Sequence, residues 1–416
     1  MFFVLYDVLL YLVLIVGLPY VLVMGMLRGK YLANFPERMG FYKTPPAAHD
    51  LWIHAVSVGE TLAARPIVDA ILRERPSTTI VFTTTTITGQ AQARRLFPDA
   101  NITYFPFDFS ASVRRFLRHH RPRVFATLET EIWPNATRLA LAAGVRMLLT
   151  NGRISDRSFP RYRFLRAFVA PVLRKYDRIL AREEADRRRF IAIGAPPEIV
   201  ETSGNVKFDY VPDDRPLEIA PRLISLIAGR KVLVLGSTMQ GEDEAMIAEL
   251  ERFIEIENAF VIIAPRKPER FGIVAEILAT AEVRFVRRSN WSDGPADVLL
   301  LDTFGELAKV YRFATAAFVG GSLVPSGGHN PIEPAAVGVP VCFGPYMSNF
   351  REIAGVFLRD GGAVETKTAA DVFDFATLMF GNEAAQRDMS ARARGSVEQN
   401  RGAASRTASR ILELLA

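Results

Sequence analysis

The feature that most constrains the fold of this chain is an alternation of short apolar runs with stretches of helical character. Six runs rich in β-branched and aromatic residues follow one another between residues 51 and 181: LWIHAV, TIVFTTT, ITYFPF, RVFATL, VRMLLT and RILA. Parallel strands joined by crossover helices produce this pattern. We therefore predict a doubly wound α/β domain over residues 31–210.

A break in the pattern marks the end of this domain. The segment FDYVPDDRPLEIAP, residues 208–221, carries three prolines and paired aspartates and has neither strand nor helix periodicity, which is typical of a linker. A second set of apolar runs follows: KVLVLGST, FVIIAPR, VRFVRR, VLLLD, AAFVGG and VPVCFG. These runs predict a second α/β domain over residues 211–395, with a helix over 396–416, and we expect the two domains to face one another across a cleft.

Residues 8–27, VLLYLVLIVGLPYVLVMGML, contain no charged side chain. Roughly 20 apolar residues are needed to cross a bilayer core as a helix, so residues 1–30 are predicted to be a membrane anchor. Basic residues lie just beyond the run, at Arg28, Lys30 and Arg38, and the positive-inside rule then places the globular part in the cytoplasm. Asp7 and Pro19 leave open a helix that lies in the membrane surface.

The formal net charge of +6 is concentrated in two arginine-rich segments, residues 114–123 and 157–189. Aromatic side chains interleave with the second segment, a pattern that nucleic-acid-binding surfaces share. Beside a membrane anchor, the same segment suits anionic lipid head groups or a phosphorylated acceptor, while a plain solvated helix face stays an open alternative. We expect membrane lipids and no nucleic acid as partners.

Polar clusters follow six of the predicted strands: SVGE, ETEIWPN, GSTMQGEDE, PRKPERF, DTFGEL and GGHNPIEPAAVGVP. In open α/β sheets, ligands bind beyond the carboxyl ends of the strands, where helix N-termini offer free N–H groups to anions. The clusters are therefore expected to share one edge of each sheet.

The clusters of the first domain favour acid–base chemistry. Ser57 and Glu60 fit the S-x-x-E capping box, and the positive end of the helix dipole would keep Glu60 ionised and available as a base. Glu129 leaves a strand where a structural residue would more often be apolar, although spacing alone favours its neighbour Glu131 equally. Lys207 could face a developing negative charge, or it is an ordinary surface lysine.

The clusters of the second domain resemble a nucleotide site. Pro265-Arg266 brings a guanidinium to a strand end, where it suits a phosphate or a base edge. Gly305 is predicted to open a helix whose N–H groups hold a phosphate, followed by Glu306. Asn330 and Glu333 can make polar contacts to a sugar and its ribose hydroxyls.

Several other chemistries lack their sequence signatures. The chain has no G-x-x-x-x-G-K-[ST] loop and no G-x-G-x-x-G after the first strand. Its single cysteine, Cys342, allows no internal disulfide, and neither an H-E-x-x-H motif nor a D-x-D pair placed for a metal-bound diphosphate occurs. We therefore expect no metal and no cofactor.

Taken in order, the N-terminal apolar segment and the segments ERMGFY, HAVSVGETLAA, ETEIWPN, NVKFD, GSTMQGEDE, APRKPERF, DTFGEL and FVGGSLVPSGGHNPIEPAA resemble the 3-deoxy-D-manno-octulosonic acid (Kdo) transferases of lipid A biosynthesis. The resemblance extends over nearly the whole chain. It implies a GT-B glycosyltransferase with two Rossmann-like domains, the donor mainly in the second, and a C-terminal helix that returns to the first.

The same resemblance implies a reaction and its residues. The donor would be CMP-Kdo and the acceptor the tetraacylated lipid A precursor at the cytoplasmic face of the bacterial inner membrane, with release of CMP by an inverting displacement. It assigns Glu60 as the base and Glu129 and Lys207 as stabilisers of the transition state. It assigns CMP binding to Pro265, Arg266, Phe304, Gly305, Glu306, Asn330, Pro331, Ile332 and Glu333.

The chain departs from the family pattern at Met239-Gln240, where His-Glu is more usual, at Lys267 in place of histidine, and at Phe304 in place of methionine. These departures concern donor or acceptor preference. Two alternatives stay open: another sugar-nucleotide enzyme of the same fold, such as an epimerase, and a membrane-tethered module that binds a nucleotide without turnover.

Overall fold

The computed structural model describes residues 2–28, 34–212, 215–292 and 294–416. The chain divides into two compact units, of which unit 1 comprises Met1–Asp209 with Arg401–Ala416 and unit 2 comprises Tyr210–Asn400. Lys30 of the expected anchor and the Asp213-Asp214 pair of the expected linker lie outside the described residues.

The described part of the chain forms the following helices and strands. The helices are α1 (Phe2–Arg28), α2 (Phe35–Arg38), α3 (Val58–Glu74), α4 (Ile87–Leu96), α5 (Ser110–His120), α6 (Pro134–Ala142), α7 (Phe159–Phe164), α8 (Arg166–Leu173), α9 (Glu184–Ala192), α10 (Ala220–Ile227), α11 (Glu242–Glu257), α12 (Pro268–Thr280), α13 (Leu307–Val310), α14 (Ile332–Ala336), α15 (Arg351–Arg359), α16 (Ala369–Gly381), α17 (Glu383–Gln399) and α18 (Ala403–Leu415). The strands are β1 (His49–His54), β2 (Ile80–Thr84), β3 (Asn101–Tyr104), β4 (Pro122–Leu128), β5 (Arg146–Gly152), β6 (Arg178–Ala181), β7 (Val200–Thr202), β8 (Val232–Thr238), β9 (Phe260–Pro265), β10 (Phe285–Arg287), β11 (Val298–Leu300), β12 (Ala316–Val319), β13 (Val341–Phe343) and β14 (Ala363–Glu365).

Each unit is built on a seven-stranded sheet. The strand order is β3-β2-β1-β4-β5-β6-β7 in unit 1 and β10-β11-β9-β8-β12-β13-β14 in unit 2. Every neighbouring pair of strands is parallel; for example, Leu51 of β1 stands opposite Ile80 of β2 and Val124 of β4. The prediction of two doubly wound α/β units is confirmed, and the polar clusters of each unit share the carboxyl edge of its sheet.

The central strands of each sheet are apolar on both faces because helices cover both sides of the sheet. In β1, Leu51 and Ile53 join a core with residues of α3, α4 and α18, whereas Trp52 points into a core with residues of α5, α6 and α9. In β8, Leu233 and Leu235 pack with residues of α11, α12 and α16, while Val232 and Val234 face the opposite core. Burial on both faces explains why these strands read as continuous apolar runs.

No helix among residues 2–28, 34–212, 215–292 and 294–416 is both long and apolar enough to cross a bilayer. The expectation of a spanning anchor over residues 8–27 is therefore not supported. The first turns of α1 make polar contacts with other elements of unit 1: Asp7 accepts hydrogen bonds from Ser110 and from the Asn135 side chain, and Tyr6 donates to Asp108. Tyr11 stacks on Phe109 with ring centroids 4.8 Å apart.

The helix α18 belongs to unit 1. Ala403, Ala404, Ala408, Ile411 and Leu415 lie in the same core cluster as β1 and α3. The segment before α18 is fixed by Asp209, whose carboxylate accepts from the backbone N–H groups of Gly402 (2.6 Å) and Ala404 (2.8 Å). The chain therefore leaves unit 1 after Asp209 and re-enters it at Arg401.

Candidate active site

The strand order of unit 1 reverses between β1 and β4, a position at which open α/β sheets bind ligands. The strands β1 and β4 are neighbours, yet the chain continues from β1 to one side of the sheet and from β4 to the other. The loops that follow two such strands diverge and leave room for a ligand at the carboxyl edge. Glu60 lies in the segment after β1 and Glu129 directly after β4.

The carboxylate of Glu60 is fixed at the start of α3. Its Oε2 accepts a hydrogen bond from the backbone N–H of Val56 (2.7 Å), and its Oε1 accepts from the Ser57 hydroxyl (3.2 Å). The predicted capping box is therefore wrong in its details, because the Ser57 side chain makes no bond to a backbone N–H of the first turn. Ser57 uses its hydroxyl to hold Glu60, and Glu60 bends back to the end of β1.

Glu60 has the acid–base properties of a group that can exchange a proton near neutrality. Its pKa is raised to about 7: burial is the largest cause, the hydrogen bonds from Val56 and Ser57 oppose the rise, and the neighbouring carboxylates of Glu129 and Glu131 add to it. A general base works best with a pKa near the working pH. The structure thus brings Glu60 and Glu129 within electrostatic reach of one another, as expected from their places on the sheet.

Glu129 has an unusual backbone conformation, with φ of +58°. This left-handed region costs a non-glycine residue roughly 1–2 kcal/mol. Its N–H donates to Thr150 O on β5 (2.9 Å), and its carboxylate pairs with the guanidinium of Arg182, whose side chain is 2% exposed. Arg182 was not predicted as a site residue, although an arginine directly after the predicted strand RILA is a visible signal in the sequence.

Glu131, the alternative to Glu129, is half-buried, and burial together with the charge of Glu129 raises its pKa. It also contributes to the raised pKa of Glu60. Glu129 and Glu131 therefore both lie near Glu60. Glu129 differs in its pairing with a buried arginine, Arg182.

Lys207 lies in a short 3-10 turn, Val206–Asp209, at the end of the first part of unit 1. Its N–H donates to Asn205 Oδ1 (3.1 Å), and the N–H of Val206 donates to Asn151 Oδ1 at the end of β5 (3.3 Å). The turn that carries Lys207 is therefore attached to the same sheet edge as Glu129.

Unit 2 reverses its strand order between β8 and β12. Pro265 is the buried last residue of β9, and Arg266 follows with its backbone N–H bonded to Thr238 O (2.9 Å) and its side chain exposed. The positive charge of Arg266 acts on His329 and on Glu333, so these three residues lie close together.

The segment Asn330–Glu333 forms a compact turn at the start of α14. Asn330 Oδ1 accepts from the N–H of Ile332 (3.1 Å), and its amide nitrogen donates to Glu333 Oε1 (3.2 Å). Pro331 and Ile332 are buried, whereas Asn330 and Glu333 are half-buried. Burial raises the pKa of Glu333, which its bond to Asn330 and the charge of Arg266 oppose. The polar members of the turn can therefore meet a ligand while the apolar members anchor it.

Phe304, Gly305 and Glu306 follow β11. Phe304 and Gly305 are exposed, Gly305 has φ of +85°, and the carboxylate of Glu306 is held by Arg288 (3.0 Å) and the Thr303 hydroxyl. The prediction that Gly305 opens a helix is wrong, since α13 begins only at Leu307 and has four residues. A helix of one turn sums few peptide dipoles, so any anion here would rely on individual N–H groups.

Glu242, at the first position of α11, is a structural residue that was not predicted from the sequence. Its buried carboxylate accepts from the backbone N–H groups of Met239 (3.0 Å), Gly321 (2.6 Å), Ser322 (2.9 Å) and Leu323 (2.8 Å). Burial raises its pKa, and these bonds oppose that rise. Glu242 thus fixes the loop after β12 against the start of α11, on both sides of the reversal point.

Among the described residues, no group of three or more histidine, cysteine, aspartate and glutamate side chains is arranged to hold a metal ion. His54 is fully buried, and its Nδ1 lies 3.1 Å from Thr83 O, so it is a core residue.

Comparison with known proteins bears on this site. Residues 33–210 match the family model of 3-deoxy-D-manno-octulosonic-acid transferase. The chain is 33% identical over 394 residues to the 3-deoxy-D-manno-octulosonic acid transferase of Haemophilus influenzae, and the match covers 93% of this chain and 91% of that one. Its identity to the corresponding transferase of Bordetella pertussis is 36% over 384 residues, covering 89% and 88%.

The chain belongs to the Kdo transferase family. The resemblance seen in the sequence is confirmed, and membership of this family makes the chain a glycosyltransferase. The region matched by the family model contains Glu60, Glu129, Lys207 and also Arg182.

The fold of this Kdo transferase family member is also that of other sugar-nucleotide enzymes. The UDP-GlcNAc 2-epimerase of Neisseria meningitidis, solved with UDP-GlcNAc bound, superposes with a TM-score of 0.60 at 10% identity, covering 89% of this chain and 99% of that one. At this identity the similarity establishes a GT-B-like fold alone.

Proposed function

We propose that the protein transfers Kdo from CMP-Kdo to the tetraacylated lipid A precursor in lipopolysaccharide biosynthesis, with release of CMP. The observation that carries the proposal is identity of 33–36% to two Kdo transferases over nearly the whole chain. The fixed carboxylate of Glu60, at the strand-order reversal of unit 1, supplies the base that such a reaction needs.

In the proposed reaction, Glu60 removes the proton from a glucosamine hydroxyl of the acceptor. The hydroxyl oxygen forms a bond to the anomeric carbon of Kdo as the bond from that carbon to the CMP phosphate oxygen breaks. The electron pair leaves with CMP, and the configuration at the anomeric carbon inverts. A pKa of about 7 lets Glu60 accept this proton at neutral pH.

Glu129 and Lys207 are assigned to the charges that develop during transfer. The carboxylate of Glu129 stabilises positive charge on the sugar, and the ammonium of Lys207 balances the negative charge of the departing phosphate. Such groups act through electrostatics that are set before the reaction begins.

For the donor, we propose that Arg266 binds the phosphate of CMP and that Asn330 and Glu333 bind hydroxyl groups. Pro265, Pro331 and Ile332 shape this site, and Phe304, Gly305 and Glu306 border it. CMP-Kdo carries a single phosphate, whose charge cationic side chains can meet. We therefore expect transfer to proceed at an unchanged rate in the presence of EDTA.

We further propose that unit 1 acts at the cytoplasmic face of the inner membrane. Beside the residues of α1 that contact the rest of unit 1, the helix exposes apolar side chains: Leu5, Val8, Leu9, Leu12, Val13, Ile15 and Val16. Exposed apolar surface of this extent is costly in water and favours a lipid environment.

The segment α7–α8 supports the same proposal. Phe164 is 88% exposed, and Leu165 and Phe168 are exposed beside it. Arginines at positions 157, 161, 163, 166 and 174 surround these side chains in the sequence. Apolar side chains flanked by cations match the chemistry of an anionic lipid surface.

The test is Kdo transfer from freshly generated CMP-Kdo to the tetraacylated lipid A precursor, followed by mass spectrometry of the lipid. We expect the wild-type protein to add Kdo and Glu60→Ala to be slower by about 10²–10⁴-fold. Glu74→Ala, an exposed glutamate at the other end of α3, is the matched control and should retain activity.

Two outcomes would contradict the proposal. Equal transfer by the wild type and Glu60→Ala would leave Glu60 as a structural residue of the helix start. No transfer by a folded wild-type protein would mean that the donor or the acceptor is wrong.

The similarity to the UDP-GlcNAc 2-epimerase fold motivates a second candidate function, conversion of a soluble sugar nucleotide. Incubation with UDP-GlcNAc in the absence of lipid, followed by NMR of the sugar, tests it. We expect no conversion, since the full-length relatives are transferases.

A further inference from the structure

A buried arginine, Arg182, pairs with the carboxylate of Glu129 in unit 1. Arg182 directly follows β6, and its residue is 4% exposed. Its guanidinium pairs with Glu129, its Nε donates to Asn151 O (3.2 Å), and its backbone N–H donates to Gly152 O (3.0 Å). One side chain therefore connects the ends of β4, β5 and β6.

The two residues that Arg182 holds have the same uncommon backbone conformation. Glu129 has φ of +58° and Asn151 has φ of +53°, and they end neighbouring strands. Left-handed residues at a strand end turn their side chains away from the regular pleat, and they persist where surrounding contacts hold them. Arg182 supplies such contacts to both.

Asn151 extends this arrangement to the third expected residue. Its Oδ1 accepts from the N–H of Val206, the residue before Lys207. The bonds of Arg182 and Asn151 thus join the segments that carry Glu129 and Lys207 into one hydrogen-bonded assembly.

We propose that Arg182 is a positioning residue of the transfer reaction, which sets the direction of the Glu129 carboxylate and offsets its negative charge beside Glu60. The inference rests on the proposed function, and it assigns Arg182 no contact with either substrate. The planar guanidinium of Arg182 holds the Glu129 carboxylate in one direction, and its removal would leave that carboxylate without its counter-charge.

The proposal has a consequence for Glu60. The charges of Glu129 and Glu131 both raise the pKa of Glu60, beside the larger effect of burial. Without Arg182, the charge of Glu129 would lack its buried counter-charge and would repel the ionised form of Glu60 more strongly. The acid limb of the pH–rate profile should then move to higher pH.

The experiment compares Arg182→Gln and Arg182→Lys with the wild type. For Arg182→Gln we expect kcat to fall by about 10²-fold, the KM for CMP-Kdo to change little, and the acid limb to shift upward. Arg182→Lys keeps the positive charge, so it should restore the acid limb and part of kcat. Arg146→Gln is the matched control, because it removes an Arg–carboxylate pair, that with Asp177, at the amino end of β5.

A folded Arg182→Gln protein with wild-type kcat and an unmoved acid limb would overturn the proposal. If Arg182→Gln does not fold, Arg182→Lys provides the test. A kcat lowered by less than about 10²-fold with the acid limb at the wild-type pH supports the proposal, and an acid limb shifted upward despite the retained positive charge contradicts it.

The double variant Glu129→Gln/Arg182→Gln separates this proposal from the proposed function. If Glu129 and Arg182 act as a unit, the melting temperature of the double variant should lie above the value obtained by adding the effects of the two single substitutions. This readout needs no substrate, so it tests the pair even if the wild-type protein transfers no Kdo. Strict additivity would contradict the coupling of Arg182 to Glu129.

Discussion

At the scale of residues, the pKa of Glu60 depends on side chains that are distant from it in the sequence. The position of Glu60 after a strand can be predicted from the sequence, since Ser57 and Glu60 mark a helix start. The raised pKa of Glu60 cannot be predicted from the sequence, because only the folded chain buries this side chain and brings Glu129 and Glu131 close to it. Arg182 was not predicted for the same reason: its partner Glu129 follows another strand, β4.

The raised pKa of Glu60 predicts a pH dependence of both activity and stability. Transfer should increase as the pH rises through about 7, where the base becomes ionised. Between 4.5, its ordinary pKa, and about 7, the folded state retains a proton that the unfolded state releases, so wild-type stability falls as the pH rises.

Glu60→Gln cannot ionise and should therefore gain about 1–3 kcal/mol in free energy of unfolding over the wild type on going from about pH 5 to about pH 8. Urea denaturation of both proteins at the two pH values measures this difference, and Glu74→Gln is the control. A constant difference at both pH values would show that the Glu60 pKa is not raised.

At the scale of elements, the strands follow from the sequence and the short helices do not. Apolar runs such as LWIHAV and KVLVLGST become β1 and β8 because both faces of each sheet are covered. The turns at Phe304–Gly305 and Asn330–Glu333 depend on contacts from elsewhere, such as the pairing of Arg288 with Glu306, which local patterns do not reveal.

The α7–α8 segment yields a prediction at this scale. Phe164→Ser with Phe168→Ser should weaken binding to vesicles that contain anionic phospholipid by at least about tenfold, because each buried aromatic side chain contributes roughly 1.5–3 kcal/mol. Leu378→Ser, at an exposed leucine of α16 in unit 2, is the control. Vesicle cosedimentation of the full-length proteins measures the effect, and unchanged binding of the double variant would exclude this segment as a lipid contact.

At the scale of the whole molecule, the chain builds unit 1 from two separate stretches. Ile411 of α18 is buried in the core cluster that contains β1 and α3. The apolar character of the chain, 49% hydrophobic, shows that a large core can form, but it does not show which segments share it.

Ile411→Ala should lower the free energy of unfolding of unit 1 by about 2–5 kcal/mol, the usual cost of such a truncation in a packed core. Thermal unfolding measured by calorimetry would show the transition of unit 1 moving to lower temperature, with Ser405→Ala, an exposed position on the same helix, as the control. A loss within about 0.5 kcal/mol, the range of surface changes, would contradict the packing of α18.

The return of the chain to unit 1 also imposes an order on folding during synthesis. Unit 2 is continuous, so all of its strands have left the ribosome once Asn400 has emerged. Unit 1 begins first, yet the β1 and α3 surface that receives α18 stays uncovered until Arg401–Ala416 are made. The domain that carries the proposed base is therefore completed last, and a truncated nascent chain would expose that apolar face.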